Sequence, residues 1–424
     1  MKKDHILVFP CGSEIGLEIY RSFVGEKAVE LYGGSSVDDH GKFVYKNYIP
    51  DIPFVNSPNF IRSLNDIIQK HDITYIYPAH DDVSLVLAKG QSELACQVIG
   101  SSYKTSQICR SKSSTYEYFR KLIRVPAIHK NKPILLKNFP IYLKPDIGQG
   151  AKGNYLAHNQ DELAFYCNKD KSLIALEYLP GDEYTIDCFT DNHGKLLFTG
   201  SRKRARILNG ISVNTHRVSS DEFEPIAHKI NDAISLNGAW FFQMKRTSDG
   251  DLCLLEIAPR ISGSMALYRN LGVNFAVLSY LVKKNIDCTV IFNDNLIEMD
   301  RALDNKYRLD ISYDHVYLDL DDCLIVDGVI NLKLIQFIYQ CINKNIEVNL
   351  LTKHVGSVAK ILKKHRIESI FDNVIHVGRN ESKSTYIGNS NSIFIDDSYS
   401  ERKDVKSKLG IPVFSIDALE SLIG

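Results

Sequence analysis

The stretch Tyr142-Leu-Lys-Pro-Asp-Ile-Gly-Gln-Gly-Ala-Lys-Gly-Asn-Tyr155 decides how the middle of this chain is interpreted. Gly148, Gly150 and Gly153 form the string GxGxxG, which in a dinucleotide-binding loop follows a strand and opens a helix. Here the glycines lead into a strand-like run. A strand–glycine loop–strand is instead a flap whose N–H groups can close over phosphates, and Lys144 on the first strand can place an ammonium group there. A glycine-rich hairpin without a ligand is the alternative.

A second motif is Leu176-Glu-Tyr-Leu-Pro-Gly-Asp-Glu-Tyr-Thr-Ile-Asp187. It predicts a strand that ends at Glu177, a turn through Pro180-Gly181, and a second strand that Glu183 opens. A hinge strand of this kind can offer backbone groups to adenine and a carboxylate to ribose hydroxyls. Taken alone, the motif is explained more simply as a surface hairpin with solvated acids.

A third motif, Trp240–Gly263, predicts two strands around an Asp-Gly turn, with Gln243 on one strand and Glu256 on the other. Side chains on neighbouring strands can hold oxygen ligands on one Mg²⁺, which needs few protein carboxylates when phosphates supply the rest. Arg260 follows at a position where it could stabilise a transferring phosphoryl group.

The three motifs read KPxxGxGxxG, ExxxGxE and QxxxxxDG…ExxPR, in this order, within Lys112–Leu281. Together they resemble an ATP-grasp ligase, and most closely the carbamoyl-phosphate-synthetase-like and amino-acid-ligase branch. The resemblance implies ATP as cofactor with Mg²⁺, for which Mn²⁺ is an alternative. The first part of the chain is also similar to the N-terminal domain of that family, through Pro10–Gly16 and Tyr77–Asp82, each of which follows a strand.

The resemblance assigns roles to individual residues of this chain. Lys144 and Lys112 are implied to bind ATP phosphates, and Gly148, Gly150 and Gly153 to form the lid loop. Glu177 and Leu179 are implied to hold adenine, and Glu183 the ribose. Gln243 and Glu256 are implied to bind Mg²⁺, and Arg260 to bind the acyl phosphate. One departure from the family is Ala258, because an Asn usually stands two residues after the metal-binding Glu. Losing that oxygen weakens the case for a second protein-held Mg²⁺.

A basic cluster precedes Asn209-Gly-Ile-Ser212 and consists of Arg202, Lys203, Arg204 and Arg206. These residues can lie on a solvated strand edge. They can equally face a bound carboxylate or a phosphate on the co-substrate. The sequence leaves both interpretations open.

The C-terminal part contains strands that end in acids. His315–Asp322 is an apolar run that ends at Asp319 and Asp321, and Ile393–Ser398 is another that ends at Asp396. In a parallel sheet these ends meet at one edge, the usual place for a ligand. Two carboxylates two residues apart, with a second acidic pair, suit Mg²⁺ binding and nucleophilic attack on phosphorus.

Two further residues, Thr352 at a strand end and Lys383 at a helix start, would cradle the phosphate. The whole pattern resembles the haloacid-dehalogenase (HAD) phosphatases, whose first motif is DxDx[TV]. The resemblance implies that Asp319 is the nucleophile and Asp321 the general acid/base. The residues implied to ligate the metal are Asp319, Asp321 and Asp396, with Asp397 in support.

Two details qualify this second resemblance. Cys323 stands where the motif has Thr or Val, a position that mainly shapes the loop. Receiver domains also use Asp, Thr and Lys, but their phosphorylated Asp comes at the third strand. Between Asp322 and Thr352 the chain has room for one helix and one strand but for no cap domain, so the site should be open or covered by the ligase domains.

The alternation of elements defines the expected architecture. Alternating strands and helices up to residue 104 predict a parallel α/β domain. Closely spaced strands at 105–291, among them Leu196–Ser201, predict antiparallel sheet with a few helices. The resemblance implies that this region is the α+β ATP-grasp domain with two lobes. Residues 292–312 are charged and aperiodic and predict a linker. Alternation resumes at 313–424 and predicts a Rossmann-like domain, which the second resemblance implies is a HAD domain without a cap. The expected fold class is therefore α/β and α+β multidomain.

Composition limits the classes of function. The chain has 424 residues, 51 Lys+Arg and 51 Asp+Glu, and this zero net charge argues against nucleic acid or anionic membrane as a general partner. The nine cysteines are scattered, without a CxxC pair, and suggest buried thiols in a reducing compartment. The longest uncharged stretch, Asn270–Val282, is shorter than the roughly 18 residues of a membrane span. We expect a cytoplasmic location.

The leading hypothesis is a bifunctional enzyme. The ATP-grasp part would phosphorylate a carboxylate with ATP and let an amine attack the acyl phosphate, giving an amide, ADP and phosphate. The HAD part would hydrolyse a phosphomonoester. The expected partners are small-molecule carboxylates and amines, including phosphorylated ones, and a homodimer is an option. Two alternatives are a HAD phosphatase whose degenerate ATP-grasp part only binds nucleotide as a regulatory module, and a non-catalytic binding or scaffold protein.

Overall fold

A computed structural model describes residues 2–129, 138–148, 150, 152–388 and 391–424. The chain forms two compact units, Met1–Ala302 (unit 1) and Leu303–Gly424 (unit 2). No helix in the described part of the chain combines the length and the apolar character needed to cross a membrane.

Unit 1 begins with a five-stranded parallel sheet in the order β3-β2-β1-β4-β5. Its strands are β1 (Asp4–Phe9), β2 (Val29–Gly34), β3 (Asn47–Ile49), β4 (Tyr75–Pro78) and β5 (Gln97–Val98). Its helices are α1 (Glu14–Ser22), α2 (Phe60–Lys70) and α3 (Asp81–Lys89). Apolar residues of β1 are buried on both faces, as expected for a central parallel strand. The predicted βαβ alternation of this region is confirmed.

The middle of unit 1 contains two antiparallel sheets. The smaller has the order β7-β6-β8 and consists of β6 (Ile141–Pro145), β7 (Tyr155–Ala157) and β8 (Leu173–Glu177). The larger has the order β13-β12-β9-β10-β11-β14. Its strands are β9 (Glu183–Thr190), β10 (Leu196–Leu208), β11 (Ile211–Arg217), β12 (Gly238–Arg246), β13 (Leu252–Ala258) and β14 (Glu298–Asp300).

Helices cover these two sheets. They are α4 (Tyr103–Arg110), α5 (Lys112–Phe119), α6 (Gln160–Lys169), α7 (Glu224–Ala233), α8 (Ala266–Arg269) and α9 (Phe275–Lys283). Trp240 and Phe242 of β12 pack against α7 in a fully buried core. Because alternate residues of a strand face opposite sides, Gln243 of the same strand points to the other face of the sheet.

Two strands of the larger sheet differ from the expectation. β10 runs to Leu208, whereas the sequence pattern predicts a strand that ends at Ser201. β14 lies inside the segment 292–312 that was predicted as a linker, and it pairs with β11. These segments are largely polar and lack a hydrophobic alternation, so they are recognised as strands through the pairing of β10 with β9 and β11 and of β14 with β11.

Unit 2 has a five-stranded parallel sheet in the order β19-β18-β15-β20-β21. The strands are β15 (His315–Leu318), β18 (Glu347–Thr352), β19 (Asn373–His376), β20 (Ser392–Ile395) and β21 (Val413–Phe414). A separate hairpin consists of β16 (Ile325–Val326) and β17 (Val329–Ile330). The helices are α10 (Leu332–Asn343), α11 (Val358–Lys364) and α12 (Tyr399–Leu409).

The connection between Asp322 and Thr352 contains the expected helix and strand, α10 and β18, together with the β16–β17 hairpin. No further element lies in this described segment, so the chain has no cap domain at this point. The helix that the sequence predicts at Ser382 is a single 3₁₀ turn, Lys383–Tyr386.

Candidate functional site

The glycine loop connects β6 and β7 of the small sheet. Gly150 and Gly153 adopt left-handed backbone conformations, with φ of 61° and 75°, which explains why glycine suits these positions. Gly148 carries a carbonyl that accepts hydrogen bonds from Arg110 Nη1 and Lys112 Nζ, both at 3.3 Å. The intervening Gln149 and Ala151 lie outside the described residues. The loop therefore joins two antiparallel strands and opens no helix.

Two lysines face the loop from different elements. Lys144 on β6 is 7% exposed, and its Nζ donates to the hydroxyl of Tyr116 at 2.9 Å. Lys112, at the start of α5, donates to the carbonyls of Asp146 and Gly148 at 3.4 and 3.3 Å. Within the described residues neither ammonium forms an ion pair, so both positive charges are bound only to neutral oxygens.

This environment changes the acidity of both lysines. Burial, and then the positive charge of Lys112, lower the pKa of Lys144 to about 8. Burial also lowers the pKa of Lys112, although Glu256 and Asp146 oppose the shift. A binding anion would restore the charged form of each, which makes this pair suited to phosphate.

A cavity of about 300 Å³ lies between the two antiparallel sheets. Its lining includes nearly all the residues expected to bind the nucleotide, Lys112, Lys144, Gly148, Gly150, Glu177, Leu179 and Glu183, and the two expected to bind Mg²⁺, Gln243 and Glu256. Gly153 is not part of the lining. Residues from five strands, one helix and the glycine loop thus meet in one space of nucleotide size.

The two acids near the predicted hinge are already bound to protein groups. The carboxylate of Glu177 accepts from Arg124 Nη2 at 2.7 Å and from the N–H of Ala127 at 3.1 Å. Glu183 forms an ion pair with Arg204 and lies 3.8 Å from Lys245 Nζ. Because the side chain of Glu177 is engaged, a contact with adenine at this position would come from backbone groups.

Gln243 of β12 and Glu256 of β13 face each other in the strand register. Both line the cavity, close to the lysine pair, and their side chains supply an amide oxygen and a carboxylate, the hard oxygen donors that Mg²⁺ prefers. Gln243 Oε1 accepts a hydrogen bond from Arg204 Nη1 at 3.1 Å, which leaves its second lone pair free for a cation. The donor set fits one Mg²⁺ that ATP phosphates would complete.

Arg260 follows β13 and forms a two-pronged ion pair with Asp81 at the start of α3, at 2.5 and 2.7 Å. Burial favours the neutral acid, but Arg260 and then Arg110 hold the pKa of Asp81 below its usual value. A small cavity of about 30 Å³ lies beside this pair and shares Lys112, Gly148 and Glu256 with the larger cavity. Ala258 lines the small cavity.

The residues of the basic cluster, Arg202, Lys203, Arg204 and Arg206, do not all lie in the same environment. Arg202 is fully buried and pairs with Asp187, and Arg204 enters the large cavity. Lys203 and Arg206 pair with partly exposed acids, Asp182 and Asp300. A strand alternates its faces, and a bulge next to Arg206 changes the register, so only part of the cluster faces the cavity.

In unit 2, Lys383 connects the ends of two neighbouring parallel strands. Its Nζ lies 2.7 Å from Asp319 Oδ1, after β15, and 2.7 Å from Asp396 Oδ2, after β20. Oxygen atoms of Asp319, Asp396 and Asp397 lie within 4.8 Å of one another, a group that could hold a cation. Burial, opposed by Lys383, raises the pKa of Asp319 to about 6, and burial also raises the pKa of Asp396.

Two expected members of this site lie beside that group. Thr352 is buried at the end of β18, and its Oγ1 accepts from the N–H of His354 at 3.1 Å. Asp321 does not place its carboxylate in the three-acid group. Its oxygens instead contact His354 Nδ1 at 2.9 and 3.0 Å.

Sequence reasoning missed two residues for which signals exist. Tyr116 lies four residues after Lys112 on α5, on the same helix face, and its hydroxyl bridges Lys144 to the carbonyl of Leu255 at 2.9 and 2.7 Å. His354 follows Thr352 at a spacing of two. Asp81 belongs to Tyr77–Asp82, the segment that resembles part of the family's N-terminal domain. Its pairing with Arg260, however, depends on tertiary structure alone.

The arrangement of two antiparallel sheets around a cavity, with a glycine loop and paired oxygen donors, defines the ATP-grasp fold, here of the carbamoyl-phosphate-synthase and amino-acid-ligase type. Residues 169–295 match a sequence family described as "ATP-grasp in the biosynthetic pathway with Ter operon". The chain is 27% identical over 343 residues to the arginine-specific carbamoyl phosphate synthase large chain of Halalkalibacterium halodurans. That match covers 73% of this chain but only 31% of the relative's length.

Two solved structures share the fold. One is N5-carboxyaminoimidazole synthetase from Staphylococcus aureus in complex with ADP, with a TM-score of 0.59, 17% identity, and coverage of 72% of this chain and 83% of that one. The other is the biotin carboxylase domain of Hydrogenobacter thermophilus 2-oxoglutarate carboxylase with MgADP and bicarbonate, with a TM-score of 0.57, 14% identity, and coverage of 69% and 73%. The nucleotide and metal of these structures agree with the expected ATP and Mg²⁺.

Proposed function

We propose that unit 1 is an ATP-dependent carboxylate–amine ligase. The observation that carries the proposal is the 300 Å³ cavity, where the glycine loop and two lysines that form no ion pair with the described residues lie opposite Gln243 and Glu256. The lysines supply positive charge for the phosphates, and Gln243 and Glu256 supply oxygen ligands for Mg²⁺. The similarity to a carbamoyl phosphate synthase supports the same class of reaction.

In the proposed reaction a carboxylate oxygen attacks the γ-phosphorus of ATP, and the bond to ADP breaks. The nitrogen of an amine then attacks the acyl carbon, phosphate leaves, and the nitrogen loses a proton to give the amide. Lys112, Lys144 and the N–H groups of the loop would hold the phosphates during the first step. Mg²⁺, held by Gln243 and Glu256, would supply charge neutralisation. Arg260 beside the small cavity would bind the acyl phosphate.

The remaining assignments in unit 1 form part of the proposal. Leu179 and the backbone at Glu177 would contact adenine, and Glu183 would contact the ribose. Residues 1–104 would form an N-terminal domain and residues 105–291 the two-lobed ATP-grasp domain. Through its ion pair with Arg260, Asp81 at the start of α3 would give the N-terminal domain a contribution to the acceptor end of the site.

The test is an ADP-release screen over carboxylate–amine pairs, including phosphorylated amines, with mass spectrometry of the products. The wild type should release ADP only when both substrates are present, and Glu256→Ala should abolish this release. Calorimetric ATP binding without ADP formation by any pair would favour the regulatory alternative. Absence of ATP binding would favour a scaffold protein.

A specific observation favours a second activity in unit 2, hydrolysis of a phosphomonoester of the HAD type by residues 313–424. Lys383 lies between Asp319 and Asp396, next to Thr352, at the carboxyl edge of a parallel sheet. Asp319 would attack phosphorus while the ester bond breaks, and Asp321 would give its proton to the leaving alcohol. Water would then release phosphate from Asp319 and return the proton to Asp321.

This activity is tested with phosphomonoesters and Mg²⁺ on the full chain. Asp319→Asn should abolish hydrolysis and leave amine-dependent ADP release intact, whereas Glu256→Ala should do the reverse. Loss of both activities in one single variant would contradict two independent sites. A shared substrate for the two units is suggested only by their presence in one chain.

A further inference from the structure

His354 is a residue to which neither motif assigns a role, and it lies directly against the proposed acid/base of unit 2. Its Nδ1 is 3.0 Å from Asp321 Oδ1 and 2.9 Å from Oδ2. The side chain of His354 is 17% exposed, whereas that of Asp321 is 51% exposed. The more buried imidazole is therefore in a position to hold the more exposed carboxylate.

The backbone of His354 is itself held on both sides. Its N–H donates to Thr352 Oγ1 at 3.1 Å, inside the proposed phosphate site. Its carbonyl accepts from His376 Nε2 at 2.7 Å, and His376 pairs with Thr352 in the register of β18 and β19. The backbone that carries the ring is thus anchored to residues of β18 and β19.

We propose that His354 is a positioning residue for phosphomonoester hydrolysis, which holds the carboxyl group of Asp321 toward the oxygen of the leaving group. The inference rests on the proposed phosphatase function of unit 2. In the step concerned, a bond forms between Asp319 and phosphorus, the ester P–O bond breaks, and Asp321 transfers its proton to the departing oxygen. His354 exchanges no proton with the substrate.

A positioned acid affects substrates unequally. A nitrophenolate leaves without a proton, whereas an alkoxide of an aliphatic alcohol does not. Misplacing Asp321 should therefore slow the cleavage of alkyl phosphates far more than that of aryl phosphates. A general loss of folding or of phosphate binding would slow both to the same degree.

The experiment compares the full-length wild type with His354→Ala, His354→Asn and the control His365→Ala, which changes a histidine at the end of α11. The probes are p-nitrophenyl phosphate, phenyl phosphate and glycerol phosphate, with Mg²⁺. For His354→Ala we expect kcat/KM to fall about 10- to 100-fold with glycerol phosphate and less than about threefold with p-nitrophenyl phosphate. His354→Asn keeps a nitrogen donor near the Nδ1 position and should recover much of the loss.

The outcomes separate this inference from the function on which it rests. Equal losses on all three esters, no loss on any, or failure of His354→Asn to exceed His354→Ala would overturn the positioning role while leaving the phosphatase intact. A wild type that hydrolyses no phosphomonoester, or hydrolysis that Asp319→Asn leaves unchanged, would overturn both.

Discussion

The buried lysines of the two candidate sites differ in their partners and in the direction in which their pKa is shifted. Lys383 in unit 2 lies between two carboxylates, and these charges, against the effect of burial, raise its pKa. Lys144 in unit 1 contacts only a tyrosine hydroxyl among the described groups, and burial lowers its pKa to about 8. The acids of unit 2 are therefore neutralised within the protein. Lys112 and Lys144 in unit 1 are left for an anionic ligand to neutralise.

This contrast predicts a large effect of Lys383→Met on unit 2. The substitution leaves Asp319 and Asp396 buried without a cation, and breaking a buried pair costs about 3–5 kcal/mol of unfolding free energy. Hydrolysis of phosphomonoesters should fall below detection. Denaturant unfolding of the full chain, followed at several wavelengths to resolve the two units, measures the first effect.

The direction of the pH dependence provides the control. The folded pKa of Asp319 lies above the ordinary 3.8, so its protonated form stabilises the fold and this contribution is lost as pH rises through about 6. Without Lys383 the loss should be steeper, and acidification should recover part of the stability. A Lys383→Met protein that is as stable as the wild type at neutral pH would contradict the ion-pair account.

Lys144→Met should behave differently in the absence of nucleotide. The wild-type ammonium is desolvated and pairs with no acid in the described part of the chain, so its removal should leave the unfolding free energy unchanged or increase it slightly. ATP binding should weaken about 10- to 100-fold, because a hydrogen bond to a charged group contributes about 1.5–3 kcal/mol. Titration calorimetry of ATP with wild type and variant measures the difference. A strongly destabilised variant with unchanged ATP affinity would assign Lys144 a structural role instead.

The same comparison predicts how ATP affinity depends on pH. Above pH of about 8 the free protein loses the proton of Lys144, so ATP must bind together with a proton, and affinity should fall by up to about tenfold per pH unit. Titrations in buffers of different ionisation enthalpy should detect this proton uptake. In Lys144→Met both the uptake and the decline should disappear. A decline that persists unchanged in the variant would show that another group titrates.

The sequence could predict the local parts of these sites. The Asp249-Gly250 turn closes the β12–β13 hairpin, and this geometry places Gln243 opposite Glu256. Similarly, parallel strands that end in Asp319 and Asp396 place both acids at one edge. In each case the spacing along the chain and the alternation of faces determine the contact.

The rest depended on pairing between distant segments. Arg202 lies on β10 beyond the predicted strand end because Asp187 on β9 neutralises it in the core. β14 is recognisable only through its pairing with β11. The contact of Arg260 with Asp81 joins the segment after β13 to the start of α3, 179 residues away in sequence. Local hydrophobic periodicity contains no information on such partners. The net charge of the chain does not show them either, because the two charges of each ion pair cancel.

The smallest effect is expected for Arg204, because this cation of unit 1 has an acidic partner in the protein, as Lys383 of unit 2 does. It binds Glu183, Gln243 and the carbonyl of Gly210 at the edge of the cavity. If this pair only orders residues that contact ribose and Mg²⁺, Arg204→Ala should raise KM for ATP about three- to tenfold and change kcat little, as expected for loss of uniform binding. Steady-state ADP release at saturating co-substrates measures both constants, with Arg206→Ala as the exposed control on the same strand. A fall in kcat with unchanged KM would instead mean that Arg204 acts on the transferring phosphoryl group, as Lys144 and Arg260 are proposed to do.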